Sequence, residues 1–148
     1  MKLSTKSRYG TRALVDIALH ANGERTKLKD VAARQQISLP YLGQIITPFL
    51  TAGIVMSNRG RAGGITLLKQ PAQIKLSQII QLLEGTITPA ECVTYPELCP
   101  HVDQCGTHDI WCLIKKAIDD ILETTTLQDL VDIERKKIAI HGAEFSNS

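Results

Sequence analysis

Residues 26–55 read TKLKDVAARQQISLPYLGQIITPFLTAGIV, and residues 54–70 continue as IVMSNRGRAGGITLLKQ. Leu28, Val31 and Ala32 predict one short helix, with Thr26 as its cap. Leu39, Leu42, Ile45 and Ile46 predict a second, capped by Ser38, whose hydroxyl can accept a free amide hydrogen of the first turn. Pro48 is awkward inside a helix but suits the first position of a new turn capped by Thr47, so a bend is expected there. Two β-leaning runs, 54–56 and 65–68, flank Gly60, Gly63 and Gly64 and predict a hairpin. Two short helices with a tight turn, then a hairpin, is the order of a winged helix-turn-helix.

The flanking sequence extends this into a mainly α fold with a small β-hairpin wing. Tyr9, Ala13, Leu14, Ile17 and Ala18 predict a first helix over 5–21, with Asn22-Gly23 as its stop. Leu76, Ile79, Ile80 and Leu83 mark a helix closed by Gly85. A long helix follows over about 108–123, with a continuous apolar stripe through Ile110, Leu113, Ile114, Ala117, Ile118, Ile121 and Leu122. Thr126 and Asp129 form a capping pair for a last helix. The expected organisation is a DNA-binding unit over 1–75, a cysteine loop with dimerisation helices over 76–140, and a disordered polar tail over 141–148.

The net charge of +2 hides two opposite halves. Residues 1–75 carry twelve Lys/Arg against three acids, +9; residues 76–148 carry five against twelve, −7. Such asymmetry points to a half that meets a polyanion. No apolar run approaches the roughly 20 residues that cross a bilayer, and the start, MKLSTKSRYGTR, lacks the apolar segment of a secretory signal. A soluble, cytoplasmic protein is expected. No nucleophile with a histidine–acid set and no phosphate-cradling glycine loop appears, which argues against an enzyme.

The candidate reading face is the start of the second short helix: Ser38, Pro40, Tyr41 and Gln44. Gln44 can pair bidentately with adenine, whereas Ser38 and Tyr41 suit phosphate. On the wing, SNRGRAGG puts Arg59, Gly60 and Arg61 on a narrow tip suited to the minor groove. Lys2, Lys6, Arg8 and Arg12 add phosphate-neutralising charge, and Lys29 belongs to the same basic surface.

All four cysteines lie in one stretch, ECVTYPELCPHVDQCGTHDIWCLIKK, residues 91–116. A reducing compartment disfavours disulfides. Zinc sites usually contain a close C-x2-C knuckle; here six residues separate Cys92 from Cys99 and five separate Cys99 from Cys105. An iron–sulfur cluster tolerates wider spacing, and Pro96 and Pro100 keep the loop out of helix. Zinc or a [4Fe-4S] cluster remain alternatives to [2Fe-2S]. His108 is the preferred fourth ligand and Cys112, four residues on along the same helical face, the alternative. His101 reads as a solvated side chain.

LSTKSRYGTRAL, ISLPYLGQI, NRGRAGGI, LLEGTITP and TTLQDL together resemble the family of bacterial winged-helix regulators that includes IscR, NsrR and CymR. The CGTH motif with Cys92 and Cys99 ahead of it is most similar to the IscR type, which implies a [2Fe-2S] cluster on Cys92, Cys99, Cys105 and His108. The resemblance also implies a homodimer joined through the long helix and binding a palindromic operator in double-stranded DNA. Its function would be that of a transcription factor, expected here as a repressor and redox sensor. Some departures stand out. Gly43 occupies the position of a glutamate involved in operator discrimination in IscR, Cys112 is extra, and Arg8 lies in the region of the first helix from which NsrR-like members supply a ligating aspartate, which argues against that ligation. LEGTITP is closer to CymR-like members, which lack the cluster cysteines.

Overall fold

The computed structural model of the chain describes residues 2–21, 24–61 and 63–146. The first helix, α1 (Thr5–Leu19), is capped by Ser4, whose hydroxyl accepts from Ser7 N–H. The proposed stop at Asn22-Gly23 lies outside the described residues. α2 (Leu28–Gln35) ends at Gln36, which adopts the left-handed conformation at φ 55°. α3 (Leu39–Thr51) then starts at the expected Ser38 cap, which accepts from Tyr41 N–H at 3.4 Å.

Two local expectations are corrected. Thr26 does not cap α2, because Lys27 holds the cap position without a side-chain bond. Thr26 instead pairs its backbone with Ile65, at 3.1 and 2.7 Å, as a short bridge to the wing. Pro48 does not divide α3, which runs unbroken past it. One turn earlier the Thr47 hydroxyl donates to Gly43 C=O at 2.8 Å, and Phe49 and Ile46 anchor both sides of the proline in the core. Tertiary packing outweighs a single missing amide bond.

The wing pairs β1 (Val55–Asn58) antiparallel with β2 (Gly64–Leu67), in a register running from Val55 opposite Leu67 to Asn58 opposite Gly64. α4 (Leu76–Leu83) follows, with Gly85 at φ +80° just beyond it. The cysteine segment is not open loop: it contains α5 (Glu91–Thr94) and two 3-10 turns, Pro96–Leu98 and Val102–Gln104. Proline is at home in the first turn of such a helix, which is where Pro96 stands. α6 (Gly106–Thr124) and α7 (Leu127–Ser146) complete the chain. Thr126 and Asp129 cap α7 reciprocally: the Asp129 carboxylate accepts from Thr126 N–H at 2.7 Å and the Thr126 hydroxyl from Asp129 N–H at 3.2 Å. The helix continues to Ser146, past Ile140, where the sequence pattern had predicted a disordered tail.

One core joins both halves of the chain. Leu14 and Ile17 of α1, Leu42 and Phe49 of α3 and Ile79 of α4 are fully buried together with Leu127 and Val131 of α7. The starts of α4 and α7 are tied backbone to backbone, Leu127 N–H to Ile74 C=O and Leu76 N–H to Thr125 C=O, both at 2.8 Å. Gly10 lets α1 and α4 approach: a Cβ there would stand 2.4 Å from Leu83 Cδ1. α6, by contrast, buries none of its residues fully.

Candidate nucleic-acid interface and cysteine segment

α3 packs its apolar face, Leu42, Ile45, Ile46 and Phe49, inward. Period 3.6 therefore turns Ser38, Pro40 and Gln44 to solvent, while Tyr41 is half-buried. Beside α3 lies an open groove of about 550 Å³ between α2, α3 and the wing, lined by Lys27, Lys29, Gly43, Asn58, Gly60 and Arg61. A Cβ on Gly43 would meet nothing within 4 Å, so that position keeps the groove wide. Arg59, Gly60 and Arg61 are exposed at the wing tip, where Gly60 adopts φ +100° and its carbonyl accepts from Gly63 N–H at 2.9 Å.

Of the residues marked on the sequence, Lys29, Gly60 and Arg61 thus share one groove next to the exposed positions of α3. Arg8 does not line this groove but stays exposed on α1. It lines a depression of about 410 Å³ between α1, α4, α6 and α7, and its Nη2 donates to Thr5 Oγ1 at 3.3 Å. Lys6 is half-buried on α1. Lys27 lines the same groove, and the alternation KLK before an amphipathic helix is its signal in the sequence.

Arg12 is not a free cation. Its Nε donates to Gln35 Oε1 at 3.0 Å and its Nη2 to Gln35 C=O at 3.3 Å. Its guanidinium lies 5.5 Å from the centre of the Tyr9 ring, and Tyr9 meets Tyr41 edge to face at 6.4 Å. Gln35 passes the connection on, donating through Nε2 to Asp16 Oδ2 at 2.8 Å.

The thiols are all free and half-buried. Cys92 lies in α5, which packs on α6; Cys99 follows the first 3-10 turn; Cys105 is the N-cap residue of α6, with His108 in its first turn. The Cys105 thiol is held below its ordinary range, first by the Thr107 hydroxyl at 3.1 Å and then by the His108 backbone amide. His108 Nε2 lies 3.5 Å from Cys112 Sγ, while His108 Nδ1 is buried without a partner. The structure therefore brings His108 and Cys112 together. Among the described residues, no three His, Cys, Asp or Glu side chains stand in an arrangement that could hold a metal ion. The donor chemistry itself, sulfur with an orphaned imidazole nitrogen, fits an iron–sulfur group. His101 is exposed, as expected of a solvated side chain.

The fold, a helix-turn-helix with a basic wing, defines a winged-helix DNA-binding regulator. Residues 3–133 match the profile of a family described as Rrf2, iron-dependent transcriptional regulator. The chain belongs to the Rrf2 family of transcriptional regulators, a family of regulators rather than enzymes. It is 40% identical over 131 residues to protein rrf2 of Nitratidesulfovibrio vulgaris, covering 88% of this chain and 87% of that one. Among solved structures, CymR, the global cysteine regulator of B. subtilis, superposes with a TM-score of 0.79 at 34% identity, over 90% of this chain and 98% of its own. IscR of T. potens superposes with a TM-score of 0.72 at 35% identity, over 90% and 88%. Among the described residues no helix is long and apolar enough to cross a membrane.

Proposed function

We propose that this regulator is a cytoplasmic homodimer whose affinity for a palindromic operator is set by an iron–sulfur cluster, [2Fe-2S] in preference to [4Fe-4S]. Cys92, Cys99, Cys105 and His108 would hold it, with Cys112 as the alternative fourth ligand. The observation that carries this reading is the position of Cys105 and His108: they start α6, a helix whose Ile110, Leu113 and Ile121 are 51%, 62% and 62% exposed. A segment that orders on metal binding is thereby joined to a helix whose apolar stripe is left partly uncovered within the subunit, at Ile110, Leu113 and Ile121.

In this reading residues 1–75 form the reading unit and 76–140 the sensing and dimerising unit. Gln44 reads a base edge, Ser38, Tyr41, Lys6, Arg8 and Lys29 meet phosphates, Pro40 sets the first turn, and Arg59, Gly60 and Arg61 enter the minor groove. The cluster, when bound, supplies a thiolate-ligated tie that oxidation, nitric oxide or iron shortage removes. The protein's own part is mechanical. α6 of one subunit lies against its partner, and a change at the N-terminal end of α6 shifts the population between two spacings of the reading heads.

The decisive experiment is anaerobic reconstitution with iron and sulfide counted per chain, visible absorbance recorded, and duplex affinity measured with and without the cluster. Equal affinity in both states ends the switch reading. Substitutions His108→Ala and Cys112→Ala assign the fourth ligand by which one alters the visible spectrum.

A second reading is favoured by the separation of the thiols and by the likeness to CymR. It is a regulator of sulfur or cysteine metabolism acting without a cluster, its cysteines holding zinc or nothing. A colourless anaerobic preparation that still binds its operator supports it.

A further inference from the structure

We infer that Arg12 is a positioning residue that sets the reading helix, and that its charge does not neutralise phosphate; the inference rests on the DNA-binding reading above. Side chains of α1 bracket the turn between α2 and α3 from both ends. On the α2 side, Arg12 grips Gln35 twice, through the side-chain oxygen at 3.0 Å and the backbone carbonyl at 3.3 Å. One turn along α1, Asp16 takes the other end of the same side chain at 2.8 Å. Gln35 is the last residue of α2, and the left-handed Gln36 that makes the turn follows it directly. On the α3 side, Tyr9 stacks beneath the Arg12 guanidinium and meets Tyr41, in the first turn of α3, at an interplanar angle of 79°.

Arg12 is the member common to both sides. It spans from the carbonyl end of α2, where a cation is favoured by the helix dipole, to the aromatic pair that fixes the start of α3. Its planar fork satisfies two acceptors while its face covers Tyr9, a combination lysine lacks. An arginine so engaged has its guanidinium fixed between Gln35 and Tyr9, so its first effect is on the placement of the turn. Sequence position alone would count it with Lys2, Lys6 and Arg8 as one more phosphate contact. The geometry assigns it a different effect: through Tyr41 it holds α3, and with it Gln44, at the angle needed for base reading.

The two roles separate in the salt dependence of binding, because each phosphate contact contributes about 0.9 to the slope of log affinity against log salt. The full chain is titrated by fluorescence anisotropy against a duplex selected from a random pool and against a scrambled duplex, across a series of salt concentrations. Arg12→Lys, which keeps the charge, and Gln35→Met, which removes the acceptor and touches no cation, are each expected to weaken binding to the selected duplex about fivefold. The slope should be unchanged, and the preference over the scrambled duplex reduced. The double variant should lose no more than either single one, since both break one link. Lys29→Ala serves as the phosphate control and lowers the slope.

The inference is overturned if Arg12→Lys binds like wild type while Arg12→Ala drops the slope by about 0.9, the signature of a phosphate contact. It is equally overturned if Gln35→Met leaves affinity and preference untouched. A wild-type chain with no salt-dependent duplex binding would remove the DNA-binding reading itself, a result distinct from either.

Discussion

Asp16 and Arg34 form a two-pronged ion pair between α1 and α2: Arg34 Nη2 lies 2.6 Å from Oδ1 and Nε 3.0 Å from Oδ2. The carboxylate is 2% exposed, and its hydrogen bond to Arg34 holds the guanidinium above its ordinary value. Taking one partner away strands a buried charge, which costs more than the intact pair contributes. Arg34→Leu is expected to lower stability by about 3 kcal/mol, read as a shift in the urea midpoint. The double variant Asp16→Leu, Arg34→Leu should lose less than Arg34→Leu alone. An Arg34→Leu protein with the wild-type midpoint contradicts this account.

Glu84, just past α4, reaches across to the start of α1. Its carboxylate accepts from the Ser4 hydroxyl at 2.6 Å, from Ser4 N–H at 3.2 Å and from the hydroxyl of fully buried Ser7. These bonds, led by that from the Ser4 hydroxyl, hold its pKa below the ordinary 4.5. A depressed folded-state pKa gives stability that is complete above 4.5 and fades as pH falls through the folded value. Glu84→Gln should therefore melt several degrees below wild type at neutral pH, on the order of 1–2 kcal/mol for the charged hydrogen bonds lost. The gap should close as pH drops below 4.5. A gap independent of pH would contradict the role of the charge.

At the wing tip, a Cβ on Gly63 would fall 2.5 Å from Asn58 O and 2.7 Å from Gly60 O. Both are backbone atoms and have no rotamer to yield, so Gly63→Ala has to open the turn. Its melting temperature should change little, because the tip is exposed, while duplex affinity falls about tenfold, comparable with losing one good phosphate or groove contact. Anisotropy titration and a thermal melt on one sample check both halves.

The exposed stripe of α6 predicts dependence on a second copy. Leu113→Asp and Ile121→Asp, introduced together, should convert the species seen by sedimentation from dimer to monomer and leave the subunit's helical circular dichroism in place. Each residue is 62% exposed in the subunit, so the substitutions disturb no core contact there. A dimer that persists in the double variant would place the interface elsewhere.

Much of the winged helix was legible because its determinants are local. Ser38 caps α3 as read, since a cap needs only a side chain and an amide three residues away. The β1–β2 hairpin follows from β-leaning runs around glycines, and the Thr126–Asp129 pair closes on itself. Thr26 and Pro48 were misplaced for the opposite reason. Thr26 has a cap's chemistry, but Ile65, 39 positions along by residue number, takes its backbone into the wing. Pro48 has a breaker's chemistry, but Phe49 and Ile46 hold the helix through it.

The candidate site divides the same way. That basic residues and thiols segregate into separate halves was visible in composition, as was the exposure of Gln44 on the far side of α3's apolar stripe. That Arg12 grips Gln35 while Arg61 stands exposed on the wing was not, because both are arginines in a basic half. That His108 meets Cys112 follows from four-residue helical spacing, whereas the placement of Cys92 depends on how α5 packs on α6, which no local pattern names.

Sequence by itself determined what each short stretch does alone: where α3 and α7 begin, where the hairpin turns, which half carries positive charge and where the sulfur sits. The tertiary structure decided which like residues take unlike roles, closing Arg12 into a bracket, burying Asp16 under Arg34 and leaving Ile110, Leu113 and Ile121 of α6 uncovered. The reason is range. Capping and periodicity act within a turn or two, while burial and ion pairing depend on neighbours that chain order does not name.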